Sequence, residues 1–116
     1  MDVSNLAISY MNMSDFCIAI TTFGSKEQAT PVIDAVLNQK LAACIQTMDI
    51  NSHYTWNEEI CHDSEVLVLF KTRSDLYKEL EETVLHLHPY DTPELVMVDI
   101  ESGFNGYLNW IRNETK

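Results

Sequence analysis

Between Leu41 and Trp56 the chain runs sixteen residues without a glycine or a proline, and only Asn51-Ser52 interrupts its extended character. At roughly 3.3 Å per residue such a strand spans about 53 Å. A compact domain built from 116 residues has a radius of gyration near 13 Å and a diameter of roughly 35 Å. The strand must therefore bend or protrude. A protruding edge offers unpaired N–H and C=O groups to another chain, so the sequence predicts an oligomer.

The elements around this strand are short. Phe16 to Phe23 is mostly apolar, is closed by Gly24, and reads as a buried strand. Ser25 with Gln28 three positions on fits a capping box. Ala29, Val32, Ile33, Val36 and Leu37 then recur at helical spacing to about Lys40. Pro31 removes a helical hydrogen bond. Either it kinks this helix, or the helix begins at Thr30 with Pro31 in its first turn.

After Trp56, the polar stretch Asn57–Asp63 reads as a loop, and Val66–Phe70 reads as a buried strand running into Lys71-Thr72. Ser74 is placed to cap a second helix. Leu76, Leu80, Val84 and Leu87 form its apolar stripe, while Asp75, Glu79, Glu82 and His86 face water. His88-Pro89 ends it. Leu95–Val98 reads as a fourth strand, and Tyr107, Leu108, Trp110 and Ile111 as a C-terminal helix. Strand, helix, strand, strand, helix, strand is the α+β order of a ferredoxin-like βαββαβ sandwich with one added helix. Residues 1–14 lack periodicity and read as a flexible extension to a single domain over 15–116.

Charge narrows the partners. Seven basic residues against eighteen acidic ones leave a net charge of −11, the wrong sign for displacing counterions from nucleic acid or for settling on an anionic membrane. The apolar runs are too short to cross a bilayer. Cys17, Cys44 and Cys61 are an odd number in no zinc-like pattern, which fits free thiols in a reducing cytoplasm.

Catalytic signatures are missing. Gly24, Gly103 and Gly106 are too scattered to cradle a phosphate, and no Gly-x-Ser-x-Gly elbow occurs. An acylphosphatase-like hydrolase on this fold needs an arginine in its phosphate loop. Phe23-Gly24-Ser25 has none, and only Arg73 and Arg112 exist. The chain therefore reads as a binding protein and not as an enzyme. His86 and His88, two apart on a helix, diverge and chelate poorly. Cys61-His62 places a soft ligand beside a borderline one, suited to copper or zinc, but a site needs three or four ligands. Lys71, at a strand end, has Glu94 as its expected counter-charge.

Five segments in register resemble the CutA family of divalent-cation tolerance proteins: Lys40-Leu41-Ala42-Ala43-Cys44, Tyr54-Thr55-Trp56, Lys71-Thr72, His88-Pro89-Tyr90 followed by Thr92-Pro93-Glu94, and Tyr107-Leu108-Asn109-Trp110. The resemblance implies a tight homotrimer joined through the long strands, kinship with PII-like signalling trimers, and a link to tolerance of Cu2+ or another divalent cation. It also leaves room for an unidentified protein partner. It places Trp56, Lys71, Tyr90, Glu94 and Tyr107 around an inter-subunit cleft and makes His88 the candidate metal ligand. The chain departs from the family at Thr21, where some members carry a metal-binding cysteine, and at Leu87, where they carry a first histidine. Glu58 stands where a glycine is common, and Pro31 is atypical.

Overall fold

The computed structural model describes residues 14–116; the predicted extension falls, but for Ser14, outside the described residues. Strands β1 (Phe16–Phe23), β2 (Cys44–Trp56), β3 (Glu59–Arg73) and β4 (Leu95–Asp99) alternate with helices α1 (Lys26–Asn38) and α2 (Tyr77–Leu87), and α3 (Asn105–Glu114) closes the chain. The sheet is antiparallel in the order β2-β3-β1-β4. This is the ferredoxin-like arrangement that the order of the elements predicts.

Strand alternation gives the sheet two unlike faces. Ala19, Phe23, Val66, Val68 and Phe70 point to the helices and pack with Ala29, Val32 and Val36 of α1 and Leu80 and Val84 of α2. The opposite face carries Ile18, Ile20, Leu67 and Leu69, with Met48, Val96 and Val98 in the same cross-strand rows. Met48 is 57% exposed, Val96 49% and Val98 46%, so an apolar sheet face lies open.

Helix α1 runs unbroken through Pro31, so of the two starts only the one after Ser25 is realised. Ser25 Oγ accepts from Gln28 N at 3.2 Å, and Gln28 Oε1 accepts from Gly24 N at 2.9 Å. The reciprocal bond thus reaches one residue further back than in a standard capping box. At its other end Leu41 N donates to Val36 O and Lys40 N to Leu37 O, with Lys40 at φ 56°. That is a Schellman ending with lysine where glycine is preferred.

Four expectations need correction. Leu41–Ala43 is not strand: Leu41 and Ala42 are buried against the helices, and the β2 ladder begins at Cys44. The supposed loop Asn57–Asp63 is a two-residue turn, Asn57-Glu58, followed at once by β3. Its polar residues mimic a loop because this end of β3 leaves the body and has no face to bury. Ser74 does not cap α2; it opens a 3-10 turn, Ser74–Leu76, and its Oγ donates to Ser14 O at 2.7 Å. Leu87 is 41% exposed instead of completing the stripe of Leu76, Leu80 and Val84, because the chain turns extended at His88 immediately afterwards.

The β2–β3 hairpin protrudes. Its ladder pairs Cys44 with Lys71 at one end and Trp56 with Glu59 at the other. Thirteen residues span about 43 Å, close to the longest molecular extent of 45 Å. The radius of gyration is 16.1 Å, against about 13 Å for a compact domain of this length. Among the described residues β2 pairs only with β3, and they leave its outer edge open.

Candidate functional site

A cleft of about 630 Å³ opens where the hairpin passes the segment between α2 and β4. The hairpin contributes Tyr54, Trp56, Asp63 and Glu65; the segment contributes Tyr90, Asp91, Thr92 and Glu94. Ser52, Tyr54 and Trp56 reach it because alternate residues of β2 share one face. Four carboxylates line the cleft, and no lysine or arginine does among the described residues. Its field therefore favours cations and opposes phosphates and other anions.

His88 anchors one wall. It is 9% exposed, its ring stacked on Phe23 with centroids 4.3 Å apart and planes inclined by 12°. Nε2–H donates to Thr22 O at 2.8 Å, and Nδ1 accepts from Tyr90 N at 3.2 Å. These bonds select the neutral Nε2–H tautomer. Burial lowers the His88 pKa below its usual value, outweighing the opposing pull of the Thr22 carbonyl and Glu65. The expected metal ligand thus has both ring nitrogens committed, and its present work is to position Tyr90.

Tyr90 projects into the cleft and donates its phenol to Glu65 Oε2 at 3.0 Å. Desolvation, then the bond to Glu65, pushes its pKa to about 12, so it stays a protonated donor at physiological pH. Across the cleft the Tyr54 phenol donates to Asp63 Oδ2, and that bond is the first cause of a Tyr54 pKa near 12. Each tyrosine thereby orients one carboxylate of the lining.

The structure divides the five expected cleft residues. Trp56, Tyr90 and Glu94 line this cleft together. Lys71 and Tyr107 meet elsewhere: Lys71 Nζ sits 5.5 Å from the Tyr107 ring centroid, and Tyr107 stacks on Trp110. The expected Lys71–Glu94 pair does not form. Lys71 lies in register with Ile18, whereas Leu95, next to Glu94, pairs with Thr21. Three residues along β1 separate the two by about 10 Å. Thr21 is fully buried, with its hydroxyl donated to Glu94 O at 2.6 Å, so it braces the cleft wall from inside.

Asp63, Glu65 and Asp91 were missed by sequence reasoning, since no local motif marks them. Only the hairpin register brings Asp63 and Glu65 level with Tyr90. Over residues 17–114 the chain matches the family described as CutA1 divalent ion tolerance protein. The chain belongs to the CutA1 family. The divalent-cation tolerance protein CutA of Pyrococcus horikoshii is 38% identical over 99 residues, covering 85% of this chain and 97% of that protein. The protein of the same name from Thermus thermophilus is 36% identical over 99 residues, covering 84% and 96% respectively. The crystal structure of CutA1 from the psychrotrophic bacterium Shewanella sp. SIB1 superposes with a TM-score of 0.85 at 32% identity, over 89% of this chain and 97% of that one. The cleft therefore sits on an established CutA1 fold. No helix among the described residues is long and apolar enough to cross a membrane.

Proposed function

We propose that this CutA1 chain serves divalent-cation tolerance as a non-enzymatic homotrimer that holds a cation in the cleft between the hairpin and the Tyr90–Glu94 segment. One observation carries the reading: Asp63, Glu65, Asp91 and Glu94 line the same cleft, spread around its wall, with no lysine or arginine among the described lining residues to neutralise them. The oxygen-rich lining suits a hydrated divalent ion bound through carboxylates and water. Tyr54, Trp56 and Tyr90 add faces that attract positive charge.

Trimerisation is supported by the open apolar sheet face and the unpaired edge of β2, both of which a neighbouring copy covers at no loss. Assembly also gives sense to the divided residues. Lys71 and Tyr107 stand apart from the cleft of their own chain, and the proposal is that they face the cleft of an adjacent copy, as the family resemblance implies. The cytoplasm is the proposed location, because three free cysteines, two of them partly exposed, persist best under reducing conditions.

Calorimetry with Cu2+, Zn2+, Mg2+ and ATP on wild type, Glu94→Gln and His88→Ala tests the reading. Binding of a divalent ion that weakens in Glu94→Gln is expected, with no heat from the nucleotide alone. Nucleotide binding without any cation response would overturn it. Light scattering should return a trimer mass; a monomer at micromolar concentration counts against the assembly.

A second reading, a trimeric scaffold or anchor for another protein with no physiological metal site, draws on the commitment of both His88 nitrogens. No group of three or more His, Cys, Asp or Glu side chains poised for a metal occurs among the described residues. Co-purification of one stoichiometric partner, together with silent metal titrations, favours this scaffold.

A further inference from the structure

The distal hairpin holds a second arrangement, a pair of histidines of which His53 also borders the cleft and His62 does not. Register places His53 directly opposite His62, and their Nδ1 atoms lie 2.6 Å apart with the rings edge to face at 81°. At that separation one ring donates Nδ1–H and the other accepts. Strand alternation turns Tyr54 and Cys61, the next rung, to the other side of the ribbon. An open hollow of about 310 Å³, bounded by Asn51, Ser52, Asp63 and Ser64, lies in front of the two imidazoles.

We propose that His53 and His62 form an exchangeable site for a borderline divalent cation, Cu2+ before Zn2+, held through both Nδ1 atoms with water completing the shell. Imidazole suits these ions, and copper binds N-donor sites more tightly than zinc. Two metal–nitrogen bonds of about 2.0–2.1 Å at angles of roughly 90–110° set the nitrogens about 2.8–3.4 Å apart. The pair therefore opens by only a few tenths of an ångström or slightly more, a small rotation for exposed rings. The Nδ1 proton moves to Nε2 of the same ring, which faces solvent, so each ligand is neutral imidazole and no net proton is released. The backbone ladder has already placed both rings, which lowers the entropy cost of chelation. With only two protein ligands the site is a loading point and not a structural zinc centre. The proposal does not depend on cation binding by the four cleft carboxylates, even though His53 borders that cleft too.

The test titrates Cu2+ and Zn2+ into the full chain carrying Cys44→Ser and Cys61→Ser, which removes the partly exposed thiols as rival ligands. Copper paramagnetic resonance should show nitrogen hyperfine structure from two imidazoles. His53→Gln and His62→Gln should each weaken binding by about ten-fold or more, since losing a ligand costs at least as much as losing the group that orients one. The double variant should add little further, because the two act as a unit. Glu94→Gln should leave the signal intact, which separates this site from the cleft. Undiminished binding in His62→Gln, or a nitrogen signature that survives in the double variant, overturns the assignment.

Discussion

The turn that joins β2 to β3 offers a sharp test of how this chain tolerates strain. Asn57 and Glu58 both have positive φ, 51° and 66°, the requirement of the type I′ turn that suits a two-residue hairpin. Asparagine accepts that conformation readily, whereas glutamate does not. An L-residue with a Cβ pays about 1–2 kcal/mol there. Glycine removes the clash but gives back about 0.5–1 kcal/mol through the greater freedom of the unfolded chain. Glu58→Gly should therefore stabilise the fold by about 0.5–1 kcal/mol, a rise in melting temperature of about 2–6 °C for a domain of this size. Scanning calorimetry at fixed protein concentration measures it, because the proposed assembly would make the midpoint concentration-dependent. Glu58→Ala is the decisive control. Alanine deletes the carboxylate but keeps the Cβ, so it should stay within about 0.5 kcal/mol of wild type. Equal gains from alanine and glycine would refute the backbone argument and assign the effect to repulsion between Glu58 and Glu59.

Lys40 poses the same question at the end of α1, where its φ of 56° predicts that Lys40→Gly raises the urea midpoint without changing the slope. Thr72 is fully buried and donates to Leu41 O at 2.6 Å; Thr72→Val leaves that carbonyl unpaired and should cost about 1–3 kcal/mol, measured by urea unfolding. For His88, burial depresses the folded-state pKa relative to an unfolded value of about 6.5. The unfolded chain thus binds more protons as pH falls below that value, and stability is lost on acidification. His88→Gln should flatten this loss between pH 7 and 5 relative to wild type; parallel curves would show that His88 does not contribute.

The fold was legible where the apolar residues form a run or a stripe. β1 and the apolar end of β3 are short continuous apolar runs, and Leu76, Leu80 and Val84 carry the helical period their burial demands. The length of β2 could be argued from the absence of any breaker between Leu41 and Trp56. Legibility failed where burial gives no pattern. Glu59–Asp63 has no buried face, so its composition resembles a loop, and Leu41–Ala43 is buried by its helix neighbours and not by the sheet. The cleft was half readable. Trp56, Tyr90 and Glu94 came from family resemblance, whereas Asp63, Glu65 and the His53–His62 pair depend on a register that only the placement of the Asn57-Glu58 turn fixes. One residue of slip there would put the two histidines on opposite sides of the ribbon.

The stack of His88 on Phe23 ties two regions that are usually varied separately. Phe23 is fully buried in the helix-facing core, yet the ring above it holds the amide of Tyr90, whose phenol stands in the cleft. A change of shape beneath the sheet is thereby transmitted to the cleft wall through two contacts. A substitution at Phe23 can reshape the proposed cation cleft without altering any residue that lines it.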